Sequence, residues 1–298
     1  MKFIKSSRFM LITSMTIFGT IGLFVRNIPL RSAEIALYRS ILAVLLVSVF
    51  LIFNRSRQKP SPAALKRALP LLFISGSAIG FNWILLFEAY NYTTVSNATL
   101  AYYFAPVIVT VACPILFKEK MKLKHWLCFG ASTLGVVLIT GFGGVSGDGT
   151  HLFGVLLGLC AALLYASVVL INKFIKDVDG ITRTLLQFIC AAVVLLPYVA
   201  FSGGFNLELL DVNSTVCLLT LGLVHTGIAY CLYFSSLKSL RGQEVAVMSY
   251  IDPLVAVIIS IAVLREPFSV WEIIGGVLIL GAALANEIQL KKSKDKNT

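Results

Sequence analysis

The segment Met248-Ser-Tyr-Ile-Asp-Pro-Leu-Val-Ala-Val-Ile-Ile-Ser260 sets one carboxylate, followed at once by a proline, in an otherwise almost wholly apolar run. Asp252 stands roughly eight residues, about 12 Å at helical rise, from the cytoplasmic end of the apolar run 244–263 that contains this segment. A charge held near the middle of a hydrocarbon layer costs at least ~2.5–3.5 kcal/mol, so by default it marks a functional site and a candidate for taking up and releasing a proton. The same dipeptide also makes a good helix start, with Asp as N-cap and Pro as first helical residue. Coupling and capping therefore stand side by side as readings of Asp252. His225, in Leu221-Gly-Leu-Val-His-Thr-Gly227, is a second titratable group at mid-run. It fits a proton relay with Asp252, or a neutral imidazole bonded to a neighbouring helix. Arg39 lies about six residues inside another apolar run and needs an anionic partner. Glu88 is the nearest carboxylate in depth, and a substrate carboxylate is the alternative, suited to the planar guanidinium fork.

The elements that must carry these groups follow from composition. The chain has 298 residues, 58% hydrophobic and 13% charged, with a mean hydropathy of +0.89, which places it among integral membrane proteins. Ten apolar runs are long enough to cross the ~30 Å hydrocarbon core, at 9–25, 33–53, 69–90, 95–117, 125–143, 151–172, 181–202, 214–235, 244–263 and 269–288. The fold class expected is all-α, with ten transmembrane helices. The net charge of +11 is explained by topology rather than by nucleic acid. With a cytoplasmic N-terminus, every Lys and Arg except Arg26, Arg31, Arg39 and Arg265 falls at a cytoplasmic end, and this positive-inside bias places both termini of a multi-pass cell-membrane protein in the cytoplasm. Met1 to Val25 lacks a small-x-small cleavage pattern and reads as a retained first helix. The six cysteines (113, 128, 160, 190, 217, 231) fall within runs, without Cys-x-x-Cys spacing, and read as packing residues.

The second half echoes the first at a shift of about 147 residues. Phe18 to Arg26 aligns with Tyr165 to Lys173, Trp83 with Tyr230, Phe87 with Phe234, Tyr103 with Tyr250, Pro106 with Pro253, and Lys118-Glu119 with Arg265-Glu266. With a one-residue slip, Gly130 and Gly135 meet Gly276 and Gly281, and Arg39 meets Gln187, also polar and within a run. Five runs per half is an odd number, so the halves are inverted; such repeats suit alternating access. The expected units are 1–147 and 148–290, followed by a basic cytoplasmic tail, 291–298. The Gly-rich stretch Thr140 to Gly149 reads as a linker, lacking the Gly-x-Gly-x-x-Gly register of a nucleotide loop. Pro106 and Pro253 form a matched pair of kinks, read as hinges or fixed bends. Trp83, Tyr230, Tyr103 and Tyr250, with Tyr102 and Tyr90, are candidates to line a cavity, with helix packing as the plainer reading. Gly76-x-x-x-Gly80 and Gly154-x-x-x-Gly158 read as sites of close intramolecular helix contact.

With these features in place, the chain resembles the EamA-domain group of the drug/metabolite transporter superfamily. The resemblance rests on Glu34-Ile-Ala-Leu-Tyr-Arg39-Ser-Ile-Leu-Ala, on Tyr102-Tyr-Phe-Ala-Pro106 followed by Lys118-Glu119, and on Asp252-Pro253 followed by Arg265-Glu-Pro267 and Gly275-Gly276. It implies ten helices around a central cavity and export or exchange of small metabolites, often amino acids. Sugar, nucleotide-sugar and drug carriers stay open as alternatives.

Other classes fit less well. An intramembrane enzyme is the main rival, but His-Glu-x-x-His, metal-type carboxylate clusters and a Gly-x-Ser-x-Gly elbow are all missing from the sequence. There is no Walker loop for a primary pump, and a receptor would not require an inverted duplication. No cofactor is expected. The partners expected are a small-molecule substrate and the lipid bilayer, with the protein a monomer or homodimer.

Overall fold

The computed structural model describes residues 2–53, 60–117, 123–142, 149–237 and 248–292, with Leu240 and Val245. The Lys118-Glu119 pair, residues 143–148 of the linker, the tail from 293 and several basic residues of the positive-inside count lie outside the described residues.

Every regular element among them is helical. The chain runs through α1 (Lys2–Gly19), α2 (Ile21–Val25), α3 (Ser32–Phe53), α4 (Pro62–Tyr92), α5 (Val95–Tyr102), α6 (Ala105–Phe117) and α7 (Leu123–Phe142). It continues through α8 (Thr150–Asn172), α9 (Gly180–Ser202), α10 (Val212–Thr220), a π-helical segment (Leu221–Ile228), α11 (Ala229–Leu237), α12 (Ile251–Ala262) and α13 (Val270–Lys292). Among the described residues seven helical runs are long and apolar enough to cross a membrane, and three shorter apolar helices lie at Leu123–Ile139, Ile251–Ala262 and Val270–Ala285. Apolar side chains face outward as well as inward: Phe9, Phe53, Phe201 and Val212 are 70%, 84%, 92% and 84% exposed. That is a lipid-facing surface, and it agrees with the membrane class read from composition.

Several starts are set locally. Ser61, Thr94 and Asp179 accept from the backbone amides of Ala64, Asn97, and Ile181 with Thr182. Asp211 and Ser214 cap α10 reciprocally. Two interruptions fall at sites the prolines mark. The run α5–α6 breaks at Tyr103 and Phe104, just before Pro106, and α12 starts after Tyr250, just before Pro253. Tyr103 (φ −71°, ψ 4°) and Tyr250 (φ −73°, ψ −6°) share one backbone conformation. A third break, at Thr20 between α1 and α2, follows no proline.

Packing pairs the helices closely. The most extensive contacts join α4 to α8, α7 to α13, α4 to α9, α3 to α9, α1 to α11, and α3 to the π segment. Small residues allow this proximity. A Cβ on Gly135 would meet the Gly275 carbonyl at 2.6 Å, and one on Gly275 would meet the Gly135 carbonyl at the same distance. Gly76 and Gly80 face Gln187, Cys190 and Leu195 of α9, while Gly154 and Gly158 face Thr93, Ala98 and Ala101. The Gly-x-x-x-Gly pairs thus serve intramolecular packing, as their spacing implies. Cys128, Cys160, Cys190, Cys217 and Cys231 form no disulfide among the described residues.

One end of the bundle is laced by polar contacts. Arg26 pairs with Glu266 at 2.8 Å and donates to the Thr93 carbonyl at 2.9 Å, while the Val95 amide donates to Glu266 at 2.9 Å. Arg31 donates to the Ser202 and Gly203 carbonyls, both at 2.5 Å, and the Asn206 amide donates to Glu34 at 2.7 Å. Arg265 adopts φ 54°, the left-handed region, at the turn that presents Glu266.

Candidate functional site

Between the helices lies a cavity of about 500 Å³, within the usual range of small-molecule sites. Arg39, Trp83, Tyr102, Tyr103, Tyr230, Tyr250, Asp252 and Pro106 all line it, as do Tyr90, Thr99 and Ser249. His225, Gln187, Glu88 and Pro253 stand outside its lining.

Asp252 sits in the first turn of α12, one residue past the start of the helix, whose N-cap is Tyr250. The placement favours a negative group through the helix dipole, but the carboxylate is not the cap. Its partner is across the cavity: the Tyr103 hydroxyl donates to Asp252 Oδ2 at 2.6 Å. The Tyr103 and Tyr250 rings are 6.5 Å apart, so the two interrupted helices meet at their matching breaks.

Arg39 is 3% exposed. The pair with Glu88 considered from the sequence does not form. Glu88 accepts from Ser32 at 2.6 Å and from Asn91 at 3.4 Å. Arg39 Nε instead donates to Thr226 Oγ1 at 2.5 Å, and its guanidinium lies 4.3 Å from the centroid of the Trp83 ring and 5.5 Å from that of Phe87, a cation–π seat. Among the described residues Arg39 forms no ion pair. Depth matched Arg39 to Glu88, but helix rotation turns Glu88 toward the end of the bundle at Ser32.

His225 is also placed differently from a relay partner of Asp252. Its Nε2 lies 2.8 Å from Thr20 Oγ1 and its Nδ1 3.2 Å from the Thr220 carbonyl, with the Phe24 ring edge-on at 4.7 Å. It ties the π segment to the break between α1 and α2. Gln187 donates to Ser75 Oγ at 2.7 Å and to Asn172 Oδ1 at 2.8 Å, a polar cross-tie among α4, α8 and α9. Trp83, Phe188 and Tyr230 form a continuous aromatic cluster, with centroids 5.4 and 5.3 Å apart.

Sequence reasoning missed Thr226, the only described hydrogen-bond partner of Arg39. Its signal was the His-Thr-Gly step itself: a hydroxyl beside a glycine at mid-run, where close helix approach puts it against a neighbour. Tyr90, Thr99 and Ser249 also line the cavity; of these only Tyr90 is a candidate from the sequence.

Among the described residues the cavity lining therefore carries one guanidinium, Arg39, and one carboxylate, Asp252, together with aromatic side chains, inside a bundle whose outer surface is apolar. A buried arginine and a half-buried aspartate that do not pair with each other inside such a bundle fit the build of a polytopic membrane transporter. Comparison with known proteins makes this specific. The chain belongs to the EamA-like transporter family, whose model matches residues 5–141 and again 152–286. It is 29% identical over 277 residues, 92% of this chain and 87% of the other, to the uncharacterized transporter YxxF of Bacillus subtilis. It is 25% identical over 279 residues to an uncharacterized transporter of Archaeoglobus fulgidus, covering 92% and 93% of the two chains. A solved structure described only as the crystal structure of a protein superposes with a TM-score of 0.65 at 16% identity, over 96% of this chain and 99% of that one. That likeness concerns the fold.

Proposed function

We propose that this protein is a secondary active transporter that moves small metabolites, amino acids or related compounds first, out of the cell or in exchange, by alternating access. Its ten helices form two inverted five-helix repeats in the cell membrane, with both termini cytoplasmic. The observation that carries the substrate reading is the pair of unlike charges in one cavity. Arg39 lacks a carboxylate among the described residues and offers its fork to a substrate carboxylate. Asp252, bonded by a single hydroxyl, offers its remaining acceptor capacity to an ammonium or a proton. An α-amino acid carries both complements.

Alternating access is supported by how packing transforms when the halves are exchanged. Under the shift, the contact of α1 with α11 becomes that of α8 with α4, and α4 with α9 becomes the π segment with α3. The contacts α3 with α9 and α7 with α13 map onto themselves. The double match of one family model points the same way, as does the shared conformation of Tyr103 and Tyr250. Halves with equivalent packing can exchange conformations at small cost, which turns a cavity from one face to the other.

The cavity lining extends away from the laced end. It includes Thr110, Val169, Tyr233, Val245 and Ala283, toward the basic ends of their helices, while Arg26, Glu266, Arg31 and Glu34 bind the opposite end together. On the positive-inside orientation this is a cytoplasm-facing state. The test is a metabolite profile of medium and cytosol from cells with and without the gene. Accumulation of one or more amino acids in the medium only of expressing cells, lost with Arg39→Gln, is expected. Identical profiles would remove the export reading.

A further inference from the structure

The π-helical segment Leu221–Ile228 lies directly on α3. A Cβ on Gly222 would meet Leu42 at 2.4 Å, and one on Gly227 would meet Leu46 at 2.9 Å, so the segment touches α3 through backbone that only glycine leaves bare. This close approach carries Thr226, 0% exposed, onto Arg39. The Thr226 hydroxyl is used twice. It donates to the Leu221 carbonyl, five residues back, at 3.0 Å and accepts from Arg39 Nε at 2.5 Å. Because its one proton is committed to Leu221, the oxygen can only accept from the arginine. Trp83 closes one face of the guanidinium at 4.3 Å. With Nε fixed on one side and a ring beneath, the Nη nitrogens have no hydrogen-bond partner among the described residues, and Arg39 lines the cavity.

We propose that Thr226 is the positioning residue for the substrate's anionic group. It acts through Arg39, and the π winding of Leu221–Ile228 is what sets it in place. The proposal rests on the reading that Arg39 receives a substrate carboxylate. In an ordinary α-helix the carbonyl five residues back is not the natural partner of a threonine hydroxyl; the wider winding brings Leu221 O under Thr226. A buried guanidinium with a free torsion would sample several rotamers, and the hydroxyl removes that freedom before substrate arrives, which is preorganisation.

The experiment uses the full-length protein in lipid nanodiscs and two readouts. The first is affinity for each L-amino acid relative to its carboxamide, which isolates recognition of the carboxylate. Thr226→Val keeps the shape and loses the hydroxyl; Thr226→Ser keeps the hydroxyl. Thr226→Val is expected to lower the acid-over-amide preference roughly tenfold, with amide affinity unchanged and the preference retained in Thr226→Ser. Arg39→Gln is expected to abolish the preference. If Arg39→Gln retains it, the substrate reading falls and this proposal with it. If Arg39→Gln abolishes it while Thr226→Val matches wild type, the substrate reading stands and this proposal is overturned.

The second readout needs no substrate, and it decides the matter if no member of the panel binds. The chain has 3 tryptophans, and Trp126 and Trp271 are exposed. Replacing both by Phe leaves Trp83, under the guanidinium, as the sole tryptophan, read by excitation where tyrosine does not absorb. Thr226→Val should shift its emission toward that of Arg39→Gln, and Thr226→Ser should not. Emission of Thr226→Val identical to wild type would overturn the proposal.

Discussion

The Tyr103 hydroxyl donates to the Asp252 carboxylate across 2.6 Å, joining two helix interruptions that share a backbone conformation. This bond gives the carboxylate its described partner. Removing the hydroxyl with Tyr103→Phe leaves a half-buried carboxylate without its described partner and should destabilise the detergent-purified protein by about 1 kcal/mol. Asp252→Asn keeps an acceptor for the hydroxyl and removes the charge, so its melting temperature should stay at or above wild type. Thermal unfolding of the two variants beside wild type measures the contrast.

The ion pair between Arg26 and Glu266 at 2.8 Å, with the Val95 amide on the same carboxylate, ties the laced end together. Glu266→Gln should loosen it. In a cysteine-free background carrying Thr99→Cys, a membrane-impermeant thiol reagent added at the Arg26 end should label several-fold faster with Glu266→Gln than with Glu266 intact. Equal rates would assign the pair to static packing.

Glycines predict opposite outcomes along one helix. A methyl at Gly135 would collide with the Gly275 backbone, whereas nothing lies within 4 Å of a Cβ at Gly130. Gly135→Ala should cost about 1–3 kcal/mol through displacement of α13, and Gly130→Ala should be neutral or stabilising by up to ~1 kcal/mol from helix propensity. Paired melting curves read the difference.

At the start of α10 the Ser214 hydroxyl and amide both donate to Asp211, holding its carboxyl below its usual 3.8. A depressed carboxyl contributes stability that is fully present above its unfolded value and is lost as pH falls through the folded one. The melting-temperature gap between wild type and Asp211→Ala should therefore be constant near neutrality and shrink below about pH 4. A gap that widened on acidification would reverse the sign of this contribution.

Depth along each apolar run was legible in the sequence because charge, proline and hydropathy mark it directly, so Asp252, Arg39 and the breaks at Pro106 and Pro253 could be placed before any coordinates. Rotation about each helix axis was not. Pairing Arg39 with Glu88 failed for that reason, and so did the meeting of His225 with Asp252: at the right depth, both partners face elsewhere. The π winding at Leu221–Ile228 adds a further offset that a 3.6-residue period does not carry, and it is what turns Thr226 to Arg39 and His225 to Thr20. The break at Thr20 was missed because no proline announces it.

The central claim is that this cavity carries a substrate across the membrane. Counterflow in proteoliposomes tests it most directly: vesicles loaded with an unlabelled mixture of L-amino acids are diluted into each labelled amino acid in turn. The account predicts transient uptake of at least one label above equilibrium in wild-type vesicles, absent from protein-free vesicles and from Arg39→Gln. Uptake no greater than in protein-free vesicles for every amino acid, from protein shown to be folded by its melting curve, would contradict it.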